Sequence, residues 1–261
     1  MRATKRVLNL HEEATHQCLR KVSDAWGASV FPKVRVADVV NIEPSGIEDD
    51  LFRFALSSHF DFVVTDDKFE PVFAVEFDGP HHSDTVQIER DKKKDKLCQW
   101  FDFPLLRINS SYLPRRFGEM DLLSWFATAW FCEREHARLQ REGRISHDDI
   151  FDPRFVVSSP GLNSEYPLWI SRKVQGRLRR LFFEGKVADF THSVVVIEDD
   201  KGCIKSLAWL LLDLESGVIS RTAFTPKLFK VGLVEAAEQI AVFGLGEVVR
   251  AALDGDAEPL P

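Results

Sequence analysis

Cysteine is scarce in this chain, and the four present, Cys18, Cys98, Cys132 and Cys203, lie far apart. No CxxC pair occurs, which argues against a structural zinc site and against a disulfide framework. Reduced, partly buried thiols in a cytoplasmic protein are expected instead. Long apolar runs are missing too. The best, Leu207 to Leu212, is strand-sized and falls well short of the roughly 20 apolar residues of a membrane span. The opening Met-Arg-Ala-Thr-Lys-Arg turns polar without an apolar run of signal-peptide type, so no membrane partner is expected. Basic charge is also short. The formal net charge is -7, and any contact with nucleic acid must come from local patches. No internal repeat is found.

The 261 residues suit one large domain or two modest ones, and a 44% hydrophobic content can fill a normal core. Asn9 and Glu12 stand at capping-box spacing, opening a helix that runs to about Trp26 and stops at Gly27. Val34 to Val40 is β-rich, and Asn41 to Asp50 reads as an exposed loop. Leu51 to Ala55 is a short helical or extended piece. Phe60 to Val64 and Val72 to Phe77 read as a hairpin joined by Thr65-Asp66-Asp67-Lys68. A charged helix over Asp84 to Phe101 and a strand over Pro104 to Ile108 then complete a βαβ crossover, expected to be right-handed. An aromatic helix from about Asp121 to Leu139 carries Trp125, Phe126, Trp130 and Phe131, read as core.

Beyond it, residues 144–165 look like a linker. Residues 166–254 read as a second, α+β domain. It comprises a basic segment (Ser171 to Arg180), a three-stranded meander (His192 to Ile197, Ile204 to Leu212, Val218 to Phe224) and a final helix (Leu233 to Leu253). Trp169, Phe182 and Phe183 are expected in its core, and residues 255–261 as a disordered tail.

The chemistry concentrates in the first domain, expected over residues 1–143. Side chains alternate along a strand, so Glu76 and Asp78 share a face, and Asp61 can meet them across the hairpin. Carboxylates among apolar strands are costly unless paired or bound to a cation. Hard oxygens at this density suit Mg²⁺ or Mn²⁺, which bind substrate phosphates and can activate water. On the charged helix, Arg90, Lys94, Leu97 and Phe101 fall on one stripe, which points Lys94 toward the sheet. Lys92, Lys93 and Lys96 fall elsewhere and read as a solvated face. Gly79-Pro80 ends the second strand sharply and could return His82 to the same edge, whereas His81 reads as a loop residue. A zinc site from His59, His81 and His82 lacks standard ligand spacing.

The ordered string Asp61-Phe62, Glu76-x-Asp78-Gly79-x-x-His82, Arg90-Asp91-x-x-Lys94-Asp95 and Pro104-Leu105-Leu106-Arg107-Ile108 resembles the PD-(D/E)xK nuclease superfamily. The similarity is to a bacterial branch related to very-short-patch-repair endonucleases, and it covers roughly residues 8–130. It implies an α/β, restriction-endonuclease-like mixed-sheet core. It implies metal ligation by Asp61 and Glu76, assisted by Asp78, and an outer acidic role for Glu12 or, alternatively, Glu13. It also implies DNA as substrate, cut to a 5′-phosphate and a 3′-hydroxyl. Where the general pattern has a lysine two residues after Glu76, this chain has Asp78. Lys94 and His82 are the two candidates for the basic role. Arg90, Arg107 and the clustered Arg172, Lys173, Arg177, Arg179 and Arg180 are candidate nucleic-acid contacts, although the cluster also reads as a solvated helix face.

Two further readings stand beside the nuclease. One is a catalytically inactive module of the same fold that binds nucleic acid, or a protein through the C-terminal domain. The other is a metal-dependent hydrolase of a small phosphorylated substrate. Oligomeric state, target and pathway are not encoded in any pattern found.

Overall fold

The computed structural model describes residues 6–43, 45–78, 85–114, 117, 120–199, 203–224 and 228–254. Gly79, Pro80, His81, His82 and the expected tail 255–261 lie outside the described residues. The protein is mixed α/β, with a four-stranded mixed sheet, a three-stranded antiparallel sheet and six α-helices among the described residues. It divides into two compact units, residues 1–131 with 227–230, and residues 132–226 with 231–261. None of the described helices is long and apolar enough to cross a membrane.

In the first unit, α1 (Leu10–Ala25) begins on a complete capping box: Asn9 and Glu12 exchange side-chain and backbone hydrogen bonds. The sheet order is β1-β2-β3-β4, from β1 (Ser29–Arg35), β2 (His59–Thr65), β3 (Pro71–Phe77) and β4 (Leu105–Ile108). The first three strands run antiparallel to their neighbours, and β3 and β4 are parallel. The parallel pair is joined through α3 (Thr85–Trp100), as the βαβ pattern requires.

One strand lies elsewhere than its sequence suggests. The strand expected at Val34 to Val40 is β1, earlier in the chain, and Val36 to Asp38 is a 3-10 turn. Pro32 sits inside β1, which is possible because β1 is an edge strand where a missing amide costs little. The Val36 amide then turns away to the Ser58 carbonyl. The ambiguous segment around Leu51 is helical, α2 (Asp49–Ser57).

The core of this unit explains the apolar strands. Phe60, Val63, Ala74 and Leu105 pack with Leu51 and Ala55 of α2 and with Leu97 and Cys98 of α3. Elsewhere Phe73 meets Trp130 and Phe131 of the helix α4 (Leu122–Arg141), and Trp26 stacks on Phe131. The aromatic stripe is therefore core.

In the second unit, β5 (Ser193–Glu198), β6 (Ile204–Leu211) and β7 (Gly217–Phe224) form the expected meander. Alternation decides which face is covered. Ala208, Leu210 and Val218 pack against Ala241, Val242, Leu245 and Val249 of α6 (Leu233–Leu253) and against Leu178 and Leu181 of α5 (Arg172–Phe183). Phe182 is half-buried, but Phe183 is 72% exposed and not core as expected. At helical spacing it falls outside the buried stripe of Leu178 and Leu181. None of the four cysteines forms a disulfide.

Candidate functional site

The site forms where the β2–β3 ladder stops. The last paired residues there are Phe62 and Val75. One position further, carboxylates replace backbone carbonyls as acceptors. The Asp61 amide donates to Glu76 Oε1 at 3.2 Å, and the Phe77 amide donates to Asp61 Oδ2 at 3.0 Å. The two acids thus hold the parting strands together, and their backbone-bonded oxygens are fixed in place.

Two lysines complete the network. Lys94 Nζ lies 2.7 Å from Glu76 Oε2 and donates to the His59 carbonyl at 2.9 Å. Lys33 Nζ lies 2.6 Å from both Glu12 Oε1 and Asp61 Oδ1. The other Glu12 oxygen accepts the Asn9 amide at 2.8 Å, so this carboxylate serves the helix cap and the site together. Glu13, the alternative, pairs with Arg6.

Exposure divides the network in two. The side chains of Glu76 and Lys94 are 8% and 10% exposed, an inner pair. Glu12, Asp61 and Lys33, at 12%, 19% and 37%, form an outer triad reachable from solvent. Burial pushes the Glu76 carboxyl up to about 7, aided by Asp61 and opposed by Lys94. For Lys33, partial burial would lower the pKa, but the hydrogen bonds it donates to Asp61 and Glu12 outweigh this and raise it.

Lys33 was not among the residues the sequence singled out. It stands opposite Asp61 in the antiparallel register of β1 and β2, between the pairs Pro32–Phe62 and Val34–Phe60. Its φ is 56°, a left-handed conformation that costs an L-residue about 1–2 kcal/mol. Such strain persists where surroundings over-determine it, and functional sites are one such place. The only cue in Val-Phe-Pro-Lys-Val-Arg is the proline inside a β-rich run, which marks an edge but not a lysine aimed at acids.

Asp78 follows directly on β3 and meets an arginine. Its carboxylate lies 3.0 Å from Arg107 Nη1. The same guanidinium reaches Asp95 at 2.8 Å and Asp91 at 3.4 Å, and is 11% exposed. Arg107 is thereby held within a cluster of acids, and its pKa is raised by them against the pull of burial. Arg90 is exposed near the start of α3. Arg172, Lys173, Arg177, Arg179 and Arg180 all lie on the exposed face of α5, with Arg172 over the Tyr166 ring and Arg179 over the Phe190 ring. His82 lies outside the described residues.

Among the described residues, no group of three or more His, Cys, Asp or Glu side chains is gathered as a metal site. The donor chemistry nevertheless fits a hard cation. Mg²⁺ keeps several waters and is commonly bound through one or two carboxylates plus substrate phosphates. Asp61 and Glu76 are two such carboxylates, hydrogen-bonded into one unit.

The fold and these side chains define an α/β protein with a charged carboxylate–lysine site where the two central strands part. Residues 4–117 match a family described as a protein of unknown function, DUF2726. That stretch, under half of the chain, contains Glu12, Lys33, Asp61, Glu76 and Lys94. No curated protein and no solved structure matches the chain.

Proposed function

We propose that the first unit is a restriction-endonuclease-like core and that the protein is a divalent-metal-dependent nuclease acting on DNA in the cytoplasm. The observation that carries this reading is the joining of Glu12, Asp61, Glu76 and Lys94 in one hydrogen-bonded network where β2 and β3 part. Asp61 and Glu76 are the metal ligands that the PD-(D/E)xK resemblance implies, and Glu12 and Lys94 are candidates for its outer acid and its basic group, drawn from four separate elements.

In this reading Asp61 and Glu76 hold Mg²⁺ or Mn²⁺, which when bound supplies charge stabilisation at the phosphate and lowers the pKa of water. Lys94 opposes the burial that raises the Glu76 carboxyl and is placed to stabilise charge on the phosphodiester. Glu12 shapes the outer edge. Asp78, paired with Arg107 at 3.0 Å, would assist the metal directly or through water. The exposed basic face of α5 is available for backbone phosphates or for a protein partner.

A second reading is favoured by one observation. Glu12, Asp61 and Glu76 already have lysine partners, as a scaffold that binds without cutting would need. The two readings separate on cleavage of supercoiled plasmid and of single-stranded DNA with Mg²⁺ or Mn²⁺, comparing wild type with Glu76→Ala. Metal-dependent cutting that disappears in the variant is the expected result. A folded wild type that neither cuts nor binds either metal would leave the scaffold.

A further inference from the structure

Each acid of the outer triad has one oxygen fixed by a backbone amide and the other turned to the same point. Asp61 Oδ2 accepts the Phe77 amide and Oδ1 faces Lys33; Glu12 Oε2 accepts the Asn9 amide and Oε1 faces Lys33. Two anionic oxygens held from behind and converging in front form a receptor for a cation. In the protein as it stands that cation is the Lys33 ammonium, 2.6 Å from each.

We infer that Lys33 is an internal competitor of the divalent metal, occupying the cation position between Glu12 and Asp61 until the metal displaces it. The inference rests on the reading of Asp61 and Glu76 as metal ligands.

Two features single out Lys33 over Lys94 for this part. Lys94 is buried and anchored to the His59 carbonyl as well as to Glu76, whereas Lys33 is 37% exposed and can withdraw its ammonium into water. Lys33 is also the one held in left-handed backbone, at φ 56°, so the hydrogen bonds to the two acids help to keep a strained residue where it is. Its ammonium, a compact point charge on a flexible stem, suits exchange with a metal ion in a way a guanidinium fork does not.

The test is Mn²⁺ binding by the full chain, followed by calorimetry without substrate. The variant is Lys33→Asn, because asparagine tolerates left-handed backbone and its short amide cannot fill the position. Arg35→Met, on the same strand and paired with Asp38, measures the effect of removing one nearby positive charge. Lys33→Asn is expected to bind Mn²⁺ about tenfold more tightly than wild type, the equivalent of about 1.4 kcal/mol. Arg35→Met is expected to stay within about twofold. Equal affinities for the two variants would overturn the inference while leaving the metal site intact. Absence of Mn²⁺ binding in both wild type and Lys33→Asn would instead remove the metal site and the inference together. Should the asparagine variant not fold, acetylation of wild-type Lys33, read by mass spectrometry, decides the matter. Its rate should rise several-fold on adding Mg²⁺, and an unchanged rate in metal-bound protein refutes displacement.

Discussion

Glu76 and Arg107 stand opposite each other in the parallel β3–β4 register, yet their side chains serve different clusters. Glu76 joins Asp61 and the two lysines. Arg107 turns to Asp78, Asp91 and Asp95. One cluster is bound by ammonium groups, point charges that can be exchanged. The other is bound by a planar fork that fixes several oxygens and does not lose its proton at any working pH. The difference separates a place where chemistry can happen from a joint that ties α3 to the sheet.

The largest expected effect lies in the joint. Arg107→Met leaves Asp95 and its neighbours without their guanidinium in a mostly buried place. It should cost about 3–5 kcal/mol in urea unfolding, and Arg107→Lys should recover only part of this. A loss below about 1 kcal/mol would mean that the two clusters are not distinct in rigidity.

A smaller and pH-dependent effect belongs to the site. In metal-free protein the Glu76 pKa is raised to about 7, above its ordinary 4.5, so the folded state holds this proton more tightly than the unfolded state. Its contribution to stability is therefore fully present below about pH 4.5 and is lost as pH rises toward 7. Lys94→Met removes the charge that opposes this loss. The variant should be destabilised by roughly 2–3 kcal/mol at pH 8 and clearly less at pH 5.5, where Glu76 takes up a proton instead. Equal losses at both pH values would show that Lys94 acts through packing alone.

The smallest stability effect is expected on α5. Changing Arg177 and Arg179 together to alanine should leave stability within about 0.5 kcal/mol of wild type, as for exposed positions generally. If this face contacts DNA, the slope of log affinity against log salt should fall by about 2, one unit for each lost phosphate contact.

How far the sequence led can be judged residue by residue. Alternation along β2 and β3 brought Asp61 and Glu76 together, and the 3.6-residue period of α3 turned Lys94 inward with Leu97. The capping-box spacing located Glu12 at the start of α1, with its second oxygen free to reach a partner. The pairing of Asp78 with Arg107 was not legible for a definite reason. Arg107 comes from β4, and no local pattern announces which residue of a crossover strand will stand opposite Glu76. Lys33 was missed on the same grounds. Its role depends on the β1–β2 register and on a left-handed backbone, both products of tertiary structure.

The replacement of ladder bonds by carboxylates at the β2–β3 fork has one more consequence. The amides of Asp61 and Phe77 are shielded by carboxylates whose other oxygens face the lysines. Any pull on those carboxylates toward a bound cation loosens two main-chain protons at once, and the strand ends are free to part a little further. On the proposed reading, occupancy at the tip of the fork would be legible as solvent exchange of these two amides.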